Sequence, residues 1–180
     1  MPSTGLETVL FNRVAFGING GFVAMGAHGY KNGPLLPNDG VSTFYAMQGV
    51  YGPDGKNYAI WSFDFSYNTR GCSTCQVFLE IDKDPGAGVD YVRLFDLTTL
   101  PQYGASGQDA WNMEMTFITA GIYDFNPFGA SSTAIRLVGV NGNERATSEI
   151  TVNVPEPGSM ALLGLGLINM GAAARRRRQR

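Results

Sequence analysis

The sequence is short of the side chains on which most enzyme sites depend. Its 180 residues include one histidine, His28, and two cysteines, Cys72 and Cys75. Catalysis by a serine or cysteine nucleophile with a histidine base would have to run through His28, and nothing near it in the sequence suggests a nucleophile. A structural zinc site needs ligands beyond the cysteine pair, and His28 is the only histidine that could join it. Charged residues are scarce, at 16%. Between residues 20 and 154 no helical period of apolar residues occurs, which argues against a helical domain. The N-terminal stretch at 1–16, MPSTGLETVLFNRVAF, lacks the basic-then-apolar order of a secretory leader.

In place of these the chain has glycine, 24 residues of it, and aromatics at 12%. That mix, with few lysines and glutamates, suits a turn-rich β protein. The length allows one domain of ordinary size plus a tail. Charge is uneven. Five of the 13 basic residues are arginines within 175–180, so the rest carries 8 basic against 15 acidic side chains, about −7. A body of that sign is expected to avoid nucleic acid and anionic lipid surfaces.

Two-residue alternation supplies the strands. After the Gly20-Gly21 turn, Phe22, Ala24, Gly26 and His28 alternate with Val23, Met25 and Ala27, and Ser42–Val50 reads as a second strand. The strongest run is Tyr58–Asn68. There Ala59, Trp61, Phe63, Phe65 and Tyr67 point one way and Ser62, Asp64 and Ser66 the other, which predicts one wet face. The Thr69–Cys75 connection leads into Val77, Leu79 and Ile81 as an antiparallel partner. Tyr91–Leu97 follows an Asp82–Asp90 loop, and Leu100–Asp109 reads as a loop. Trp111, Met113, Met115 and Phe117 then alternate with Asn112, Glu114 and Thr116 outward. Ile135, Leu137 and Val140 form a strand that the Asn141-Gly142-Asn143 turn joins to Ile150, Val152 and Val154.

The prediction is an all-β fold, a two-layer antiparallel β-sandwich of about seven or eight strands over 20–154, after a weakly patterned segment at 1–19. Its core is expected to hold Trp61, Phe63, Phe65, Leu79, Ile81, Trp111, Met113, Phe117, Ile135, Leu137, Ile150 and Val152. At about 1.5–3 kcal/mol for each buried side chain, these suffice to fold the body without the tail.

The tail at 155–180 has three parts in fixed order. Pro155-Glu156-Pro157 comes first, and two prolines so close forbid a continuing strand or helix. An uncharged span follows at 158–174, whose apolar run starts at Met160 and whose one strongly polar residue is Asn169. Last comes an arginine cluster at 175–180, with Arg175, Arg176, Arg177 and Arg178 consecutive. As a single hydrophobic helix, 160–174 reaches about 22 Å at ~1.5 Å per residue, short of the ~30 Å hydrocarbon core. Gly158, Ser159 and snorkelling arginines close much of that gap. The arginines act as a cytoplasmic stop under the positive-inside rule, which places everything before Pro155 on the other side.

These residues resemble the PEP-CTERM sorting signal of Gram-negative bacteria. The resemblance implies recognition and cleavage near Pro155-Glu156-Pro157 by an exosortase, a membrane-embedded processing enzyme. It also implies a transient inner-membrane intermediate on the way to the outer envelope or the extracellular space. Because such export needs a way across the inner membrane, an export signal upstream of Met1 is expected. The body is loosely similar to exported domains that often precede the same signal. The matching pieces are Trp61–Phe65, Ile81–Pro85, Trp111–Met113 and Ile150–Pro157, and the similarity brings no activity with it.

Other candidate chemistry has an ordinary structural reading beside it. Outside the cytoplasm, Cys72-x-x-Cys75 at the tip of a hairpin reads as a small-loop disulfide. Asp82, Asp84 and Asp90, with Gly86 and Gly88 between, begin like a calcium loop. Pro85 and the lack of a closing glutamate spoil that match, and Asx turns in a solvated loop are favoured. Asp64 and Glu114 are conceivable as a glycosidase pair, yet acids facing outward on a sheet are ordinarily just solvated. The expected function is that of a non-catalytic, cofactor-free exported protein of the envelope, extracellular matrix or biofilm. Its expected partner is the exosortase, with no nucleic acid. The alternative is a secreted carbohydrate- or calcium-binding module associated with exopolysaccharide.

Overall fold

The computed structural model describes residues 10–17, 19–31, 33–84, 88–119, 125–156 and 158. Nine strands form two sheets around one core. They are β1 (Phe11–Ala15), β2 (Phe22–Gly29), β3 (Thr43–Tyr45), β4 (Trp61–Asn68), β5 (Gln76–Asp82), β6 (Tyr91–Asp96), β7 (Ser106–Trp111), β8 (Ser131–Asn141) and β9 (Glu144–Val154), with one helical turn, α1 (Thr116–Thr119), after β7. One sheet has the order β1-β2-β4-β7 and the other β3-β9-β8-β5-β6.

The alternation in β4 is realised as read. Trp61, Phe63, Phe65 and Tyr67 are buried against Val23 and Met25 of β2, Leu79 and Ile81 of β5, Ile135 and Leu137 of β8, and Ile150 and Val152 of β9. Trp111 ties the open edge together. Its ring meets Phe65 at 5.0 Å, Phe95 at 5.6 Å and Phe117 at 4.9 Å, all edge-on, the geometry aromatic quadrupoles prefer. The β8–β9 hairpin turns at Gly142, whose φ of +57° glycine adopts without steric cost.

Several expectations are corrected. Among the described residues eight strands lie within 20–154, as expected, and a ninth, β1, precedes them, but one pair is parallel: β3 lies beside β9 with Thr43 opposite Thr151 and Tyr45 opposite Asn153. No tight turn joins those two strands, so nothing forces them antiparallel. β1 falls in the stretch read as weakly patterned. It is an edge strand, and its inward-facing Asn12 breaks the alternation while donating to the Glu149 carbonyl of β9 (2.9 Å). β7 begins at Ser106, inside the stretch read as a loop, and ends at Trp111.

β5 is not the antiparallel partner of β4. β4 already has β2 and β7 on its two sides, so the Thr69–Cys75 connection crosses to the other sheet, where β5 pairs with β8 and β6. Phe117 is 45% exposed on α1 and is no core residue, whereas Met113 is buried. Asn112, expected to face outward into water, is fully buried. The expected C-terminal hydrophobic helix at 158–174 falls, Gly158 apart, outside the described residues.

Candidate functional site

The sorting segment is built by the end of β9. Val154 is buried and pairs with Ser131 at the start of β8, the last rung of that ladder. On the other side Ala46 N–H donates to the Asn153 carbonyl (3.0 Å). Pro155 has no N–H to extend either ladder. Its carbonyl accepts one side-chain bond, from Gln48 Nε2 at 3.3 Å. Pro155, Glu156 and Gly158 are exposed, so the chain leaves a dry strand and is in water within one residue. Pro157, the apolar run at 160–174 and Arg175, Arg176, Arg177 and Arg178 lie outside the described residues. Among the described residues no helix is long and apolar enough to cross a membrane.

Cys72 and Cys75 are joined in a disulfide, with Cα atoms 5.4 Å apart, in the connection that carries the chain from one sheet to the other. It therefore braces a crossover and not the hairpin tip expected. Arg70 and Gly71 there both have positive φ, 52° and 78°, which tightens the turn.

In the acidic loop Asp82 is buried, and its Oδ1 accepts from the backbone N–H of Asp84 (3.0 Å) and of Asp90 (2.8 Å). That is the Asx turn read from the sequence. Asp90 itself pairs with Lys83 at 3.0 Å. Among the described residues no three acidic, histidine or cysteine side chains converge to hold a metal ion.

Asp64 and Glu114 do not share a cleft. Glu114 lines a shallow, open depression of about 470 Å³ with Asn57, Phe125, Asn126, Pro127 and Phe128. Asp64 is 0% exposed, and Ser62 beside it is also buried, which corrects the expected wet face. The reason lies in the register: Gly26 and Ala110 flank Asp64 on the neighbouring strands. With no side chain at Gly26, the His28 ring reaches across and its Nδ1 shares a hydrogen bond of 2.8 Å with Asp64 Oδ2. Asp64 Oδ1 has no hydrogen-bond partner among the described residues. Burial pushes the Asp64 carboxyl above its ordinary range, against the opposing pull of His28.

Ser62 is the register partner of His28, so serine, histidine and aspartate do gather on one face. The serine hydroxyl, however, is shut from solvent and accepts from Asn112 Nδ2 (3.3 Å). The trio is thus arranged as a structural bridge between β2 and β4.

Two further polar sites escaped the sequence reading. Asn112 donates through Nδ2 to the carbonyls of Ala59 and Trp61, both at 2.8 Å, and accepts at Oδ1 from the N–H of Ala59 and of Glu114, both at 3.1 Å. It replaces the missing rungs where β7 stops short of the residues entering β4. An Asn directly after a strand and two residues before an acid was the available signal, and the alternation masked it. On the five-stranded sheet Glu80 takes Arg93 (3.1 Å) and Arg136 (2.8 Å). Burial raises the Glu80 carboxyl, but the hydrogen bonds and charges of Arg136 and Arg93 outweigh it and hold the group below the ordinary value.

No curated protein and no solved structure matches the chain. Residues 153–178 match the family model of the PEP-CTERM protein-sorting motif. That match begins at the last residues of β9 and covers the Pro-Glu-Pro, the apolar run and the four arginines. The chain is therefore one that carries a PEP-CTERM protein-sorting signal, which implies an exosortase as its processing partner and indicates export with membrane-associated sorting.

Proposed function

We propose that the protein is a non-catalytic component of the cell envelope or extracellular matrix, including biofilm matrix. In this reading it crosses the inner membrane, is held there by 158–174 with Arg175–Arg178 on the cytoplasmic side, and is released by exosortase cleavage near Pro155-Glu156-Pro157. The observation that carries the reading is the abrupt passage at Pro155 from a buried strand to an exposed segment inside the matched motif. A processing enzyme needs extended backbone, and the residue before a proline avoids helix. Within the sandwich, the best candidates for chemistry are engaged in structural bonds: His28 with Asp64, and Ser62 with Asn112.

The test is fractionation of cells with and without the exosortase, following intact and shortened chains. A shortened form in the outer envelope or medium, lost without the enzyme, is expected. Full-length chain reaching the same place in both strains refutes the reading. One observation favours carbohydrate binding as a second reading: Phe117, 45% exposed, stands edge-on to Trp111 at the open rim between the sheets and offers a face for a sugar. Glycan-array binding that Phe117→Ser abolishes would decide for it.

A further inference from the structure

The end of the sandwich from which the tail departs differs from the opposite end. β3 runs parallel to β9, so the residues just after Tyr45 lie level with Val154 and Pro155, as the Gln48–Pro155 bond records. The chain before β3 returns antiparallel to it, through the Asn38–Phe44 bridge and the Tyr45 N–H to Pro37 carbonyl bond (2.9 Å), which carries Leu35 toward the same end. Gly49 N–H donates to the Pro127 carbonyl (2.8 Å), and Ser131 pairs with Val154, which brings Phe128 there as well. Leu35 is 59% exposed, Met47 71% and Phe128 63%, with Tyr45 also exposed beside them. The opposite end, formed by Gly17, Arg70–Cys75 and Gly142–Asn143, has no exposed large apolar side chain among the described residues.

Exposed side chains of this kind gathered at one end mark a contact surface, and the chain itself says with what. Pro155 and Met160, where the apolar run starts, are five positions apart. At ~3.3–3.6 Å per residue that stretch spans at most about 18 Å, so a tail seated in the bilayer holds this end close to the headgroups. We propose that this end is a membrane-contact surface, with Leu35, Met47 and Phe128 inserted at the headgroup level of the bilayer that holds the tail. The inference rests on the proposed membrane placement of 160–174. The body's charge of about −7 disfavours anionic lipid, so the contact is apolar and is sustained by the tether's high effective concentration. Such side chains reach roughly 5–10 Å into the boundary between headgroups and acyl chains.

The test uses the full chain reconstituted into vesicles of phosphatidylethanolamine and dibrominated phosphatidylcholine, whose bromines quench tryptophan. Met47→Trp is compared with Asn143→Trp at the far end; Met47 is exposed, so the change leaves the core untouched, and both native tryptophans are buried. Loss of emission from Met47→Trp but not from Asn143→Trp is expected, and serine at Leu35 and Phe128 is expected to diminish it. Flotation of the same samples separates the two claims. Chain that floats with vesicles while Met47→Trp stays bright leaves the tail's placement standing and overturns the docking. A cross-linked dimer through Met47 without quenching assigns the surface to a second copy, which also overturns it. Chain that does not float overturns both.

Discussion

Asn112 gives the most demanding test of the structure, because its burial was not expected from the alternation and its removal has a calculable cost. The side chain is fully buried and serves Ala59 twice, as donor to its carbonyl and acceptor from its N–H, and Trp61 once. Asn112→Ala leaves these three backbone groups without their bonds in a dry site, and the half-buried Glu114 N–H loses its acceptor as well. At roughly 1–3 kcal/mol for each unsatisfied group, and with a water able to enter the vacated space and satisfy part of the loss, the change costs about 3–6 kcal/mol. A domain of this size has about 5–15 kcal/mol in total, so the variant lies near the limit of folding.

Asn112→Asp separates hydrogen bonding from volume. It keeps the acceptor side and loses both amide donors, so a carboxylate faces the carbonyls of Ala59 and Trp61. Protonation restores one donor, and this variant is therefore expected to be least destabilised at low pH, relative to wild type at the same pH. Urea unfolding of the full chain in detergent micelles reads both, through the fluorescence of the buried Trp61 and Trp111. With a slope near 2 kcal/mol per molar urea, Asn112→Ala is expected to shift the midpoint by about 1.5–3 M. A loss below about 1 kcal/mol, or an Asn112→Asp penalty that ignores pH, refutes the reasoning.

Three other outcomes follow from the polar sites. Glu80 is held below its ordinary value of 4.5, so its contribution is complete above that pH and is lost as pH falls through the lowered folded value. A pH series of urea midpoints is expected to show that acid slope and to show less of it in Glu80→Gln. Asp64 titrates the other way: its folded value is raised above 3.8, so stability falls as pH rises from there through the raised value. Asp64→Asn keeps a hydrogen-bond partner for His28 Nδ1 in either tautomer and is expected to match or exceed wild type at neutral pH, whereas Asp64→Ala, with no partner to offer, is expected to fall below it. The Cys72–Cys75 loop is short, separation 3, so loop entropy limits its effect to about 2 kcal/mol. Replacing both cysteines by serine is expected to lower the midpoint by no more than that and to leave the circular dichroism unchanged.

What the sequence disclosed and what it hid differ in range. The sorting motif is contiguous, so its order and spacing can be read without a fold, and the family match falls on the same residues. The inner face of β4 was equally legible, because alternation from Ala59 to Tyr67 depends only on the pleat. Alternation reports a face, however, and never a neighbour. It could not say that β5 abandons β4 for β8, since that follows from β2 and β7 having taken both sides of β4. Nor could it say that Asp64 is dry, because the cause is Gly26 and Ala110 on two other strands. His28 and Asp64, 36 residues apart, meet only once the β2–β4 register is known. At Asn112 the period ran on past the true end of the strand, and a residue counted as outward proved to be the polar anchor of the β4 entrance.

The relation between β9 and the motif explains how a sorting signal can begin so close to a folded domain. β9 is an interior strand with β3 on one side and β8 on the other, so cutting within it would break two ladders. Both ladders end first. The last rung to β8 is Val154 with Ser131, and the last to β3 is Asn153 with Tyr45, followed by the bond from Ala46 N–H. Pro155 lacks the N–H that would carry either further. Beyond it the described chain makes a single bond to the body, from Gln48 to the Pro155 carbonyl, 3.3 Å long and exposed, and such a bond contributes only about 0.5–1.5 kcal/mol. A cut on the C-terminal side of Glu156 therefore removes no described rung and exposes none of the described core, which ends at Val154. Proline at 155 stops the strand where its neighbours stop, and Glu156 just beyond it is exposed.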